Sequence, residues 1–171
     1  MAAEWEPQFV TIDRDLALRF FLGFARFEFA LKNSRFFRPR ETKPSEPQDA
    51  QPDWEAFASS IRETFLPESR PELSAACDYL IRLSPPGSEV VSGKAVVWDT
   101  TPPPADLPVS QRVLLAVRRV RNNLFHGAKF SHVPAGDAGR NTALLEYSLV
   151  VLGECLRLSA EVRQVYADAS L

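Results

Sequence analysis

Residues 13–33 read "DRDLALRFFLGFARFEFALKN". Apolar side chains recur there at intervals of three and four, the period of a helix. Leu16, Phe20, Phe24, Phe27 and Leu31 form one broad arc, and Leu18, Leu22, Ala25 and Phe29 form a second. Asp15, Arg19, Arg26 and Asn33 separate the arcs on one side, and Arg14, Glu28 and Lys32 on the other. A helix that is apolar on two faces is covered on both, by the core and by either more core or a second subunit.

The remaining segments fit around this helix. "RPRETKPSEPQDAQP" is rich in proline and charge, so residues 35–52 are expected to be a mobile loop. Asp53 then stands as a cap before "WEAFASSIRETF", where Trp54, Phe57, Ile61 and Phe65 share a face. "SRPE" offers Ser69 as a cap and Pro71 in the first turn of a third helix, which "SPPG" stops near Leu83. "EVVSGKAVVW", residues 89–98, has two β-branched runs around Ser92-Gly93 and reads as a small hairpin. A fourth helix is expected from near Ser110 to a glycine stop at Gly127. "TALLEYSLVVLGECLRLSAEVRQVYAD" closes the chain as one long helix. The expected architecture is all-α: about five helices with a minor β-hairpin, in a single domain over residues 1–171.

Composition narrows the function. Hydrophobic residues make up 45% and charged residues 25%, the balance of an ordinary soluble protein. No apolar run reaches the roughly 20 residues needed to span a bilayer, so no membrane partner is expected. "MAAEWEPQFV" lacks the pattern of a secretory leader, and Cys77 and Cys155 lie in apolar helical settings as buried thiols. Both features fit a cytoplasmic protein. The net charge of −2 argues against coating nucleic acid by bulk charge. The distribution is uneven, however. Residues 111–130 carry Arg112, Arg118, Arg119, Arg121 and Lys129 with no acid, and residues 32–43 carry Lys32, Arg35, Arg38, Arg40 and Lys43 against Glu41 alone. Patches of this size can hold a phosphate backbone.

The fourth helix runs into "RRVRNNLFHGAKF", residues 118–130. Val113, Val117, Val120 and Leu124 form its core stripe. Arg112, Arg119, Asn122 and Asn123 fall on the side of His126, and Asn122 lies one turn before it. Arg121 sits at the edge of the apolar stripe, where an arginine needs a partner or a ligand. In the last turn, the helix C-terminus favours a charged His126 and the neighbouring arginines oppose it, which suits a proton-transfer group near neutral pH. Arg121 offers a fixed charge with forked donors for a phosphorane. Arg121, Asn122 and His126 are therefore the candidate catalytic set for metal-free RNA cleavage. Arg112, Arg118, Arg119, Asn123 and Lys129 are the candidate RNA contacts. No metal-ligand spacing and no cofactor motif is present, so neither a metal nor a cofactor is expected. Arg119 also satisfies a looser Arg-to-His spacing, and His132 has no evident partners.

Arg121-Asn122-Asn123-Leu124-Phe125-His126 resembles the signature of the HEPN superfamily: an arginine, often followed by a polar residue, then a histidine after four to six residues. Asn122 in the polar place favours Arg121 over Arg119. Together with "RFEFALK", "WEAFA" and "DYLIRLSPPGSEVV", the chain resembles a branch of small stand-alone HEPN proteins of bacteria and plasmids. The resemblance implies an antiparallel helical bundle and a homodimer with two motifs facing one cleft. It also implies ribonuclease activity in toxin–antitoxin or antiviral defence, with an antitoxin protein as partner. The alternative is a non-catalytic HEPN module that binds RNA, nucleotide or a partner protein.

Overall fold

Asp13 starts the first helix as its cap, accepting a 2.7 Å hydrogen bond from the Leu16 amide on Oδ1. The computed structural model describes residues 13–40, 49–87, 89–93, 95–125 and 138–169. In order, the described elements are α1 (Arg14–Lys32), β1 (Phe37–Pro39), β2 (Ala50–Pro52), α2 (Trp54–Ser60), a short 3-10 turn (Pro67–Ser69), α3 (Pro71–Arg82), β3 (Glu89–Ser92), β4 (Ala95–Trp98), α4 (Val109–Phe125), α5 (Ala138–Leu158) and α6 (Ala160–Asp168). The fold is mostly helical, with two two-stranded antiparallel ladders. Among the described residues, no helix is long and apolar enough to cross a membrane.

The first apolar arc of α1 is core throughout: Leu16, Phe20, Phe24, Phe27 and Leu31 are buried. α1 packs against α5 and α6, α3 against α4 and α5, and α2 against α4. Where α1 meets α2, the aromatic rings interlock. Trp54 stacks between Phe24 (centroids 5.3 Å apart) and Phe27 (5.5 Å). Phe57 meets both Phe27 and Phe36 edge to face, at 5.4 and 5.2 Å. Such pairs add about 0.5–1.5 kcal/mol each beyond their area burial. Among the described residues the second arc is exposed: Leu18 is 55% exposed, Leu22 41% and Phe29 45%, with Phe21 beside them at 39%.

Several sequence expectations change. Residues 35–52 are not one loop. β1 pairs with β2 in the register Phe37↔Pro52, Arg38↔Gln51 and Pro39↔Ala50, and residues 41–48 of the expected loop lie outside the described residues. Prolines are tolerated because each strand has only one partner and so an open edge. The closing helix is two helices. Ser159 takes extended backbone and its hydroxyl accepts from the Val162 amide at 3.4 Å, which caps α6. Ser69 does not cap α3; its hydroxyl donates to the Leu66 carbonyl, and Arg70 holds the cap position without a side-chain bond. The hairpin at residues 89–98 forms as expected, with Gly93 at φ 63° supplying the positive backbone angle of a tight turn. Asp53 caps α2 through a 2.9 Å bond from the Ala56 amide.

On the far side of the core, Glu154 of α5 is buried and held by two arginines. Arg70 Nη1 lies 2.6 Å from its Oε2, and Arg157 donates to both carboxylate oxygens at 2.9 and 2.7 Å. The Arg157 hydrogen bonds lead in pulling its pKa below the usual carboxylate range, against the opposing effect of burial.

Two outcomes test this packing. Phe27→Ala removes the ring shared by both stacked and edge contacts and should cost about 3–5 kcal/mol in denaturant unfolding. Glu154 has a folded-state pKa below its unfolded value, so its contribution is full above an ordinary pKa of 4.5 and is lost as pH falls through the lowered value. Thermal melts of wild type and Glu154→Gln should therefore differ by several degrees at pH 7 and converge in acid. Parallel curves at every pH would contradict the ion cluster.

Candidate functional site

Helix α4 is fixed at its start by α2. Ser110 Oγ donates to the Ala58 carbonyl at 3.0 Å, and Gln111 Nε2 donates to Ser59 Oγ at 3.0 Å. Val113, Leu114, Ala116, Val117 and Val120 are buried, and Leu124 is partly so, as the apolar stripe requires. With the helix held this way, its polar residues point to different neighbours and do not form one surface.

Arg121 reaches α1. Its Nη2 lies 3.9 Å from Glu28 Oε2, its Nη1 donates to Asn122 Oδ1 at 3.1 Å, and its guanidinium carbon sits 5.7 Å from the centre of the Phe24 ring. The partner that its position demanded is thus a carboxylate from the polar strip of α1. Both side chains are about one-third exposed, Arg121 at 35% and Glu28 at 27%. At 3.9 Å and this exposure the pair is loose and open to exchange with another anion. The catalytic candidates Arg121 and Asn122 are brought together. His126 and Lys129 lie outside the described residues, as does the expected helix stop at Gly127.

Arg118 lies on the α2 side, with its guanidinium carbon 5.9 Å from the Trp54 ring centre. Burial lowers its pKa, and of its charged neighbours Glu55 and Glu28 favour the charged form while Arg38 of β1 opposes it. The two basic stretches of the sequence therefore approach each other here. Arg119 faces elsewhere. Its Nη1 donates to the Thr101 carbonyl at 2.8 Å and approaches Ser84 Oγ at 3.5 Å. Arg119 also contributes to holding Asp99 below its usual pKa, after the hydrogen bonds from Thr101. Since the Gly87 amide bonds the Asp99 carbonyl at 2.7 Å, Arg119 braces the base of the β3–β4 hairpin. Arg112 lines a groove with Glu68, Asp78 and Arg82.

Asn123 departs from its expected place on the polar side. It is 5% exposed, and its Nδ2 donates to the Pro86 carbonyl at 3.1 Å. A side chain buried there fastens the "SPPG" turn through the Pro86 carbonyl. The signal was available: Asn123 continues the Ala116–Val120 ridge at helical spacing. Glu28 is the neighbour of Arg121 that sequence reasoning missed, because periodicity places a residue on a face but does not say which helix that face meets.

Two measurements follow from this sorting. A double-mutant cycle on Glu28→Gln and Arg121→Met should give a coupling of about 0.2–1 kcal/mol, the range of a partly exposed pair. Arg119→Ala should speed amide exchange across residues 89–98 and leave α1 and α2 unchanged. Unchanged exchange in the hairpin would refute the bracing role.

No protein-family model, curated protein or solved structure matches this chain, so the reading of the site rests on its own residues and geometry.

Proposed function

We propose that the chain is a HEPN-type, metal-independent endoribonuclease. One observation carries the reading: Arg121 and Asn122 are joined at 3.1 Å on a partly exposed edge of α4, next to an apolar face of α1 that is exposed among the described residues. The proposed reaction uses the RNA's own 2′-hydroxyl. His126 takes its proton, the 2′-oxygen forms a bond to phosphorus, and the bond to the 5′-oxygen breaks as that oxygen gains a proton. The products carry a 2′,3′-cyclic phosphate and a 5′-hydroxyl. Arg121 leaves Glu28 for the phosphorane oxygens, where a forked cation is worth most. Asn122 orients Arg121 or the imidazole.

A second copy completes this scheme. Leu18, Phe21, Leu22 and Phe29 supply the apolar surface for a two-fold contact that would set two Arg121–Asn122 pairs across one cleft. Two His126 side chains would then serve as base and acid. The toxin–antitoxin or antiviral setting, and an antitoxin partner, follow from the resemblance alone.

The contact between Arg121 and Glu28 favours a second reading. A motif arginine already paired with a carboxylate is what a non-catalytic module would keep, binding RNA, nucleotide or a partner protein.

Purified chain incubated with total RNA and a chelator should cut it and leave cyclic phosphate ends. His126→Ala and Arg121→Ala should each lose about 10²–10⁴-fold in rate while remaining folded. Cleavage that needs added magnesium, or that leaves 5′-phosphates, would reject this chemistry. RNA binding without any cutting would leave the module reading in its place.

A further inference from the structure

The groove between α2 and α4 contains a cation that, among the described residues, has no hydrogen-bonding or ion-pairing partner. Arg118 is half-buried, lies over the edge of the aromatic stack, and makes no hydrogen bond or ion pair among the described residues. Arg121, one turn further along the same helix, has Glu28. The groove has a volume of about 340 Å³, at the lower end of small-ligand pockets. Leu107 and Leu115 provide apolar walls, and Trp54 part of the floor. Glu55 and Gln111 provide acceptors, because the Gln111 amide nitrogen is already committed to Ser59 and its carbonyl oxygen is left over.

This combination is amphipathic in a particular way. A forked cation suits a phosphate, two apolar walls suit a flat ring, and two acceptors suit an exocyclic amine. A fatty ligand would leave Arg118 and Glu55 without hydrogen-bond partners, and a bare anion would leave the leucines wet and meet Glu55 unscreened. We propose that the groove is a nucleotide subsite, with the phosphate on Arg118, the base between Leu107 and Leu115, and its amino group on Glu55 or Gln111. The occupant is a nucleoside monophosphate unit, and the subsite rests on the RNA reading of α4 for its source in an RNA strand. Arg118 and Arg121 lie against neighbouring rings of one stack, Trp54 and Phe24, so a single strand can pass from one to the other. Bases that carry an amine should bind better than uracil.

The test uses the full chain and short labelled 2′-O-methyl oligoribonucleotides, which cannot be cut. Anisotropy should show cytidine oligomers binding more tightly than uridine oligomers. Arg118→Met and Leu115→Glu should each weaken cytidine binding roughly tenfold or more, and Arg118→Met should lower the salt slope by about one phosphate. Cytidine monophosphate should shift the methyl resonances of Leu107 and Leu115. Arg118→Met should melt at the same or a higher temperature, because it removes a charge that burial disfavours; a large fall would mark Arg118 as a structural strut and overturn the assignment. If the variants bind oligomers normally while Arg121→Ala does not, the groove is outside the RNA path and the proposal fails, with the RNA reading intact. If the monophosphate binds in an Arg118-dependent way and no oligomer does, the subsite stands for free nucleotide and the RNA reading falls. Binding of neither rejects both.

Discussion

The stack of Phe24, Trp54 and Phe27, closed by Phe57 and Phe36, is the constraint on which the candidate site depends. It fixes α1 against α2 by ring geometry as well as by burial, and it brings the start of the β1–β2 arm to the same place through Phe36. α4 is pinned to α2 at Ser110 and Gln111, so its register relative to the stack is set near its first turn. From there the helical repeat decides the rest. Arg118 reaches Trp54, and Arg121, three residues on, reaches Phe24. Faces of aromatic rings attract guanidinium groups modestly, which orients both arginines without neutralising either.

The other arginines of α4 are drawn elsewhere by the same repeat. Arg119 turns toward the Thr101 carbonyl at the foot of the hairpin, and Arg112 lines a groove with Glu68 and Asp78. A row of basic residues in sequence is thus divided among a brace, a groove beside acids, a loose ion pair and a cation with no direct ion pair among the described residues. Only the last two face the same aromatic surface. Charge counting along the chain treats these four as equivalent, but the packing makes them different in cost and in availability to a ligand.

How much could be read in advance follows from this. The core arc of α1, the Asp53 cap, the Trp54–Phe65 face and the hairpin at residues 89–98 were legible, because each depends on local period or on one turn residue. The break at Ser159 was not, since apolar spacing continues through it and a single serine hydroxyl decides the matter. The β1–β2 ladder was hidden by prolines and charges that usually mark loops. At the site, Arg121's need for a partner was legible from its place on the wheel. That the partner is Glu28 was not, because which helices become neighbours is a property of the whole core. Asn123 departs from the polar side for a related reason: its spacing from Ala116 and Val120 sets its amide against the Pro86 turn.

The buried thiols have a practical consequence. Cys77 on α3 and Cys155 on α5 are both enclosed in the core; burial leads in pushing the Cys77 thiol up to about 12, and it raises Cys155 as well. A thiol in that state scarcely reacts with an alkylating reagent while the chain is closed. Modification then has to wait until α3 and α5 come apart, so its rate is a clock for core opening. The same inertness leaves the native surface chemically silent toward maleimides among the described residues. A cysteine introduced beside α4 or on the uncovered face of α1 could therefore carry a spectroscopic label without removal of the two natural ones.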